Sequence, residues 1–229
     1  MKSPTIVAID GPAGAGKSTV AKTLAKKLGF LHIDTGAMYR AVTLKALRLK
    51  AELKSDPELE RIASGCVIEL RPAEPENKVF LDGGEVTKEI RGPEVTQASA
   101  FIANSVPVRK ILVARQQKMG REESAPYGGA VLEGRDIGTD VFPDAQYKFY
   151  LDASVETRAQ RRLRDLQRAG VSTTLEKVME DVKARDERDI NRPVGGLRKT
   201  PESIVMDHSH LSVEESAEEL FQYIQKLPR

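Results

Sequence analysis

Eight residues near the start of the chain have the types and spacing needed to bind phosphate. They match the pattern G-x-x-x-x-G-K-[ST] at every fixed position and read Gly11-Pro12-Ala13-Gly14-Ala15-Gly16-Lys17-Ser18. Glycines let successive N–H groups turn toward an anion, the lysine reaches the β- and γ-phosphates, and the serine hydroxyl ligates Mg²⁺. The alternative is a flexible Gly/Ala turn. The match predicts that this loop, with Thr19, binds a nucleoside triphosphate.

The residues on either side of the loop predict the elements that must hold it. An apolar run typical of a buried strand precedes it, Thr5-Ile6-Val7-Ala8-Ile9. Apolar residues at helical spacing follow it, at Val20, Ala21, Leu24 and Leu28. In a strand–loop–helix unit, the positive dipole end of the helix and its unpaired N–H groups face the same anion as the loop.

Three polar clusters follow predicted strands or share a helix face, where an open α/β sheet binds its ligands. They are Asp34-Thr35-Gly36-x-x-Tyr39-Arg40, Glu133-Gly134-Arg135-Asp136, and the charged run from Arg185 to Arg192. In that run Arg185, Asp189 and Arg192 fall at i, i+4 and i+7, on one side of a helix. A helix cap with a surface arginine explains the first cluster equally well, and a solvent face with ion pairs explains the third.

A strongly basic helix is predicted between the second and third clusters. Its arginines include Arg158, Arg161, Arg162 and Arg164, and Gly170 closes it. Phosphoryl transfer needs several positive groups, because charge spreads over the oxygens of the migrating phosphoryl group. The helix is therefore either a lid whose arginines close on phosphates or a solvated surface helix.

The composition of the 229-residue chain indicates a soluble globular protein with one sizeable core. Lys and Arg number 36 against 34 Asp and Glu, so the net charge of +2 gives no reason to expect a nucleic-acid partner. A single cysteine, Cys66, excludes a disulfide framework and is expected to be a small buried residue. No apolar run reaches the ~18 residues of a membrane span, and the start of the chain leaves no room for a signal peptide. A cytoplasmic monomer without membrane contact is expected.

The histidines offer no metal site. His208 and His210 follow the last predicted strand without a third ligand nearby, so both are expected at the surface. The sequence contains no Asn-Lys-x-Asp guanine-reading motif, which argues against a GTPase switch.

Strands alternate with helices along most of the chain, which predicts a parallel, doubly wound α/β sheet. Further strands are expected at residues 30–33, 130–133, 148–152 and 204–207. Helices are expected at residues 37–50, from Ser55 onward, at 94–104 and 108–119 with Pro107 at the break, from Thr173 to about 192, and from Ser212 onward.

The segment from residue 66 to residue 91 has a different pattern. Strands are expected at residues 67–70, 79–82 and 85–87, with a Pro- and Glu-rich connection at 72–77 and a tight turn at Gly83-Gly84. Consecutive hairpins fit poorly within a parallel sheet. This segment is therefore predicted to be a small antiparallel insertion beside the main sheet.

Four blocks of the sequence carry a resemblance to a known family. They are Ile9-Asp10 with the loop to Thr19, Asp34-Thr35-Gly36-Ala37-Met38-Tyr39-Arg40, Gly134-Arg135-Asp136-Ile137-Gly138-Thr139, and Arg185-Asp186-Glu187-Arg188-Asp189 with Asn191-Arg192. In order and spacing these blocks closely resemble the bacterial cytidylate kinases, which are P-loop nucleoside monophosphate kinases. The resemblance implies a P-loop kinase core at residues 1–62 and 104–229, a helical lid at about 155–172, and an inserted monophosphate-binding subdomain at 63–103.

The resemblance also implies a reaction, the transfer of the γ-phosphate of ATP to CMP or dCMP in pyrimidine nucleotide metabolism, with Mg²⁺ on Ser18. The acceptor phosphate would be held by Arg40, Arg135 and Arg192, with Thr35 and Tyr39 in the same pocket. The sugar hydroxyls would be held by Arg185 and Asp189. The cytosine would be read by Asp136 and Arg109. The implied catalytic residues are Lys17, Arg135, Arg185 and Arg192. The implied lid arginines are Arg158, Arg161 and Arg162.

The cytosine assignment has a physical basis. Cytosine presents an amino donor at N4 beside the acceptors N3 and O2, an edge that a carboxylate and a guanidinium complement. Uracil places a carbonyl oxygen where Asp136 needs a donor, and such a mismatch is costly at a buried site. One position departs from the family pattern. Some family members have a serine nine residues before the arginine that corresponds to Arg109. That position is Ala100 here, beside Ser99, and neither residue is assigned to the site.

Two alternatives remain open at the level of sequence. One is a related small P-loop kinase with another acceptor, such as a different nucleotide or a shikimate-like polyol acid. The other is a binding protein that uses ATP only as a switch. The arginines and carboxylates beyond the phosphate loop argue against the switch, since a switch needs no second anion pocket.

Overall fold

The computed structural model describes residues 3–74, 77–168 and 170–226, which form two β-sheets and eight α-helices. The strands are β1 (Thr5–Asp10), β2 (Leu31–Asp34), β3 (Ile68–Arg71), β4 (Lys78–Leu81), β5 (Gly84–Glu85), β6 (Gly129–Gly134), β7 (Tyr147–Asp152) and β8 (Ile204–Asp207). The α-helices are α1 (Lys17–Leu28), α2 (Thr35–Arg48), α3 (Asp56–Ser64), α4 (Pro93–Asn104), α5 (Val106–Lys118), α6 (Val155–Arg168), α7 (Leu175–Ile190) and α8 (Val213–Lys226). Shorter helical turns occur at Glu89–Arg91, Met119–Glu123, Ala125–Tyr127 and Ile137–Val141.

The main sheet has the strand order β2-β6-β1-β7-β8, and every pair in it is parallel. Strand β1 lies at the centre, and its last residue, Asp10, is in register with Gly134 at the end of β6. The loops that follow β1, β2 and β6 therefore meet at one edge of the sheet. Strands β3, β4 and β5 form the separate antiparallel sheet. The predicted α/β fold with an antiparallel insertion is confirmed.

Both faces of the main sheet are covered by helices. Side chains alternate along β1, so Val7 and Ile9 pack with Leu24 of α1, whereas Ile6 and Ala8 face the opposite side. That opposite side also takes in apolar residues of α2, α3, α5 and the small sheet. The small sheet shares this apolar cluster with the main sheet. The assignment of residues 63–103 as a separate subdomain therefore stays a prediction.

Gly11, the first residue of the phosphate loop, meets two backbone constraints at once. Its φ of +152° lies in the region that favours glycine, and a Cβ built on it would lie 2.0 Å from the carbonyl oxygen of Leu151 in β7. The loop can therefore leave β1 and turn over β7 only if this residue has no side chain.

Some predicted boundaries were wrong by one residue for local reasons. The β4–β5 turn consists of Asp82 and Gly83, not Gly83-Gly84, because a two-residue hairpin turn needs positive φ at both residues, and these have +51° and +85°. Pro107 lies in the first turn of α5 and not at the break, since its missing N–H is harmless there. Thr174, not Thr173, caps α7, with its hydroxyl accepting from the Lys177 N–H.

Two predicted helix caps had different outcomes. The Ser212 hydroxyl accepts from Glu215 N at 3.2 Å and a Glu215 carboxylate oxygen accepts from Ser212 N at 2.8 Å, which is the expected capping box of α8. Ser55 precedes α3 as expected, but its side chain makes no capping bond. Pro75 and Glu76 of the predicted 72–77 connection lie outside the described residues.

The expectation that His208 lies at the surface was wrong. The residue is 1% exposed, its backbone N–H donates to the Asp152 carbonyl, and its carbonyl accepts from Arg161. Burial lowers the pKa of the His208 imidazole. His210 is exposed and Cys66 is buried, both as predicted. No helix in the described ranges has both the length and the apolar character needed to span a membrane.

Candidate active site

The phosphate loop lies at the end of β1, and α1 begins at its last residues. Gly14 and Gly16 have φ values of +78° and +89°, so the loop curls inward over Lys17. Lys17 is 6% exposed, and its ammonium donates to the carbonyl of Pro12 at 2.7 Å. The lysine therefore lies folded under the loop, with its charge held where phosphate oxygens would bind.

Four cations from separate parts of the chain act on one another: Lys17, Arg40, Arg135 and Arg185. Burial and the nearby Arg135 and Arg185 guanidiniums hold the pKa of Lys17 well below its ordinary value. Burial, Arg135 and Arg40 likewise lower the pKa of Arg185 to about 10 despite the opposing effect of Asp189. Burial is also the largest cause of the lowered pKa of Arg40. Cations that depress one another in this way are arranged to receive anions.

Anion binding is therefore expected to stabilise the protein more than ionic strength does. A triphosphate at about 100 times its Kd adds ~2.7 kcal/mol to the free energy of unfolding, which corresponds to a Tm increase of about 5–10 °C for a chain of this size. We expect tripolyphosphate with Mg²⁺ to produce this shift in differential scanning fluorimetry. Sodium chloride and MgCl₂ at matched ionic strength are the controls, and equal shifts in all samples would contradict an anion site.

Asp189, near the end of α7, joins two of the predicted acceptor-site arginines. Arg135 donates to one of its oxygens at 2.8 Å and Arg192 donates to the other at 2.7 Å. Burial raises the pKa of Asp189, but the two guanidiniums outweigh it and leave the pKa below its usual range. The alternative of a solvent-exposed face does not hold at Asp189, which is 7% exposed, although Glu187 and Arg188 of the same run are exposed.

Other predicted acceptor-site residues contact the fold itself. The Thr35 hydroxyl donates to the carbonyl of Glu133 at 2.6 Å, which ties the start of α2 to β6. Arg40 donates to the carbonyl of Ile90 and to the Thr96 hydroxyl, at 3.0 and 2.7 Å, which ties α2 to the insertion. These two side chains therefore fix α2 to β6 and to the insertion.

The predicted cytosine-reading pair is assembled across the fold. Arg109 of α5 donates to the Asp136 carboxylate, and these residues are 3% and 6% exposed. The Arg109 guanidinium carbon lies 5.8 Å from the centre of the Tyr39 ring. Burial raises the pKa of Asp136, with Arg109 opposing the rise, and burial also raises the pKa of Tyr39 to about 12. Ser99 donates to the Thr96 carbonyl within α4.

The three predicted lid arginines of α6 have different environments. Arg158 is 4% exposed, donates to the carbonyls of Ala153 and Ala13, and forms a 2.7 Å ion pair with Asp186 of α7. Its guanidinium thus fastens α6 to the phosphate loop and to α7. Arg161 contacts the Ala15 carbonyl at 3.4 Å. Of the three, only Arg162 is exposed, and its charge acts on Arg40 and Arg185.

Ser18, the predicted metal ligand, has a carboxylate partner that the sequence reasoning did not assign to the site. Its hydroxyl donates to Glu133 at 2.8 Å, and the other Glu133 oxygen lies 3.5 Å from His32 without a hydrogen bond. A cavity of about 300 Å³ opens beside Ser18 and His32. Hydroxyl and carboxylate oxygens suit Mg²⁺. In the described part of the chain, no group of three or more His, Cys, Asp or Glu side chains could hold a metal.

The fold and these groups define a phosphotransferase on a P-loop sheet, and comparison with known proteins identifies its family. The cytidylate kinase family model matches residues 7–226. The cytidylate kinase of Desulforamulus reducens is 44% identical over 220 residues, 96% of either chain. That of Pasteurella multocida is 41% identical over 226 residues, 99% of this chain and 97% of that protein. The chain therefore belongs to the cytidylate kinase family.

A solved structure has the same fold at much lower sequence identity. An uncharacterized protein from Eubacterium ventriosum matches 97% of this chain and 99% of its own, with a TM-score of 0.50 and 14% identity. The predicted family is confirmed, and with it the class of ATP-dependent kinase.

Proposed function

We propose that the protein transfers the γ-phosphate of ATP to CMP or dCMP and releases ADP with CDP or dCDP. The observation that carries this proposal is the group of mutually interacting cations Lys17, Arg40, Arg135 and Arg185, together with the buried Arg109–Asp136 pair. The cations suit a donor and an acceptor phosphate, and the pair suits the hydrogen-bonding edge of cytosine. Family membership supports the same reaction.

In this proposal the chain binds, orients and neutralises its substrates and forms no covalent intermediate. Residues 11–19 hold the triphosphate, and Arg40 with the Asp189-bound pair Arg135 and Arg192 holds the acceptor phosphate in line with it. Arg185 contacts the sugar and neutralises negative charge on the migrating phosphoryl group. Ser18, oriented by Glu133, would hold Mg²⁺, which when bound spreads the negative charge of the β- and γ-phosphates.

The proposal extends to the parts that surround the substrates. Residues 63–103 serve as the monophosphate-binding subdomain, and the lid at about 155–172 closes on the donor through Arg161 and Arg162, which excludes water. We further propose that the protein works as a monomer in the cytoplasm, where ATP and nucleoside monophosphates are available.

An acceptor panel tests the proposal. ADP production from ATP and Mg²⁺ would be measured with CMP, dCMP, UMP, AMP and shikimate as separate acceptors. We expect strong turnover with CMP and dCMP and weak turnover with UMP. Turnover with another acceptor alone would refute the cytosine pocket but keep the kinase. Stoichiometric ATP binding without turnover on any acceptor would favour the nucleotide switch.

A further inference from the structure

Asp10 is a buried carboxylate at the end of β1 that the proposed chemistry does not use. It is 5% exposed and directly precedes the phosphate loop. Its two oxygens accept hydrogen bonds from the backbone N–H groups of Ile137 and Gly138, each at 2.8 Å. The donors lie 127 and 128 residues along the chain, so this contact joins the end of one strand to the segment that follows its neighbour.

The segment held by Asp10 carries two proposed site residues. Ile137 and Gly138 come directly after Arg135 and Asp136 and begin a helical turn. Because the clamped N–H groups lie one to three residues after Arg135 and Asp136, the direction of both side chains depends on the clamp. A Cβ on Gly138 would lie 3.4 Å from Asp10, so the backbone approaches the carboxylate closely.

Asp10 also has a titration that can be followed. Burial raises the pKa of Asp10 to about 6, and the nearby Asp136 carboxylate adds to this rise. The two N–H donors and the Lys17 ammonium of α1 oppose the rise. Above this pH both oxygens accept hydrogen bonds. Below it one oxygen carries a proton and meets an N–H group, so one hydrogen bond is lost.

We propose that Asp10 is a positioning residue that fixes Arg135 and Asp136 relative to the phosphate loop, and so couples the donor site to the choice of acceptor base. The inference rests on the proposed function. An asparagine at this position has the same shape but only one acceptor oxygen, and its amide NH₂ group would face a backbone N–H. The clamp would then lose one of its two bonds while the buried volume stays the same.

The test compares Asp10→Asn with Asp144→Asn, whose side chain is 70% exposed and lies 3.5 Å from Arg121. For each protein kcat/KM would be measured with CMP and with UMP from pH 5 to pH 8, together with ATP affinity and urea unfolding. In Asp10→Asn we expect KM for CMP to rise at least tenfold and the CMP-over-UMP preference to fall at least tenfold. We expect the CMP-over-UMP preference of the wild type to fall below about pH 6, where Asp10 takes up a proton, and that of Asp10→Asn to show no such fall. Ionisation of the nucleotide phosphates is common to CMP and UMP and cancels in this ratio. ATP affinity should change less than threefold, and Asp144→Asn should match the wild type.

The outcomes separate this inference from the function on which it rests. If wild-type protein does not phosphorylate CMP, the proposed function fails and the inference fails with it. If the wild type is active and Asp10→Asn keeps the base preference of the wild type across the pH range, the inference alone is overturned. A drop in unfolding stability with an unchanged preference would reduce Asp10 to a structural role and also overturn it. If Asp10→Asn does not fold, Asp10→Ser, which keeps one acceptor oxygen in a smaller volume, takes its place in the same comparison.

Discussion

Replacing Lys17 with alanine is expected to lower kcat for phosphate transfer about a thousandfold while the protein stays folded. Removal of one preorganised group that stabilises transition-state charge costs ~10²–10³ in rate. Lys17 lies under the loop, where its ammonium donates to the Pro12 carbonyl. The rate would be measured as CMP-dependent ADP release, and the fold by circular dichroism and urea unfolding.

The same substitution makes a prediction about stability. Since the pKa of Lys17 is lower in the folded protein than in the unfolded chain, its charge costs folding free energy at neutral pH, and stability rises with pH toward the ordinary lysine pKa. We therefore expect Lys17→Ala without ligand to unfold at the same urea concentration as the wild type or higher. Lys26→Ala is the control, because Lys26 lies on the same helix with its side chain 75% exposed. Near-normal turnover in Lys17→Ala would refute the assignment of the phosphate loop.

Replacing Asp136 with asparagine is expected to lower kcat/KM for CMP about a hundredfold and to reduce the CMP-over-UMP preference at least tenfold. A carboxylate only accepts hydrogen bonds and so favours the cytosine amino group, whereas an amide can also donate to the uracil carbonyl. The preference would be measured as the ratio of the two kcat/KM values. An unchanged ratio would show that Asp136 does not read the base.

Stability must be measured alongside this second experiment. Asp136→Asn leaves Arg109 buried without a charged partner, and breaking a buried pair from one side costs roughly 3–5 kcal/mol. Assays at low temperature, with urea unfolding of the variant, separate loss of fold from loss of selectivity. The control is Asp144→Asn, which replaces an exposed carboxylate in the loop after Ile137–Val141. It should leave the CMP-over-UMP preference and the urea unfolding unchanged.

The features that sequence could predict are those encoded locally. The phosphate loop, the strand before it and the helix after it depend on neighbouring residues, so glycine spacing and apolar periodicity are sufficient. The hairpin insertion is likewise visible from its turn residues. The hairpin turn, predicted at Gly83-Gly84 and found at Asp82-Gly83, shows the limit of this reasoning, because glycine composition alone does not say which two residues take positive φ.

The features that escaped prediction depend on contacts between distant segments. Arg158 has the sequence signature of a surface arginine, yet α7 supplies Asp186 and the loop supplies a carbonyl, so it is buried. Glu133 belongs to the second polar cluster of the sequence, but its bond to Ser18 could not be predicted because it needs the parallel pairing of β1 with β6. The Asp10 clamp depends on the same pairing. Helical periodicity placed Arg185, Asp189 and Arg192 on one side of a helix, but α7 ends at Ile190 and Arg192 contacts Asp189 from beyond the helix end.

The most direct test of the proposed reaction is the identity of its products. ATP, Mg²⁺ and CMP would be incubated with the protein, and CDP and ADP would be quantified together by ion-exchange chromatography. We predict that CDP and ADP appear in a one-to-one ratio from the first turnover onward and that neither forms when CMP is left out. ADP without CDP would mean that water is the acceptor, and it would contradict the account of a cytidine monophosphate site opposite the phosphate loop.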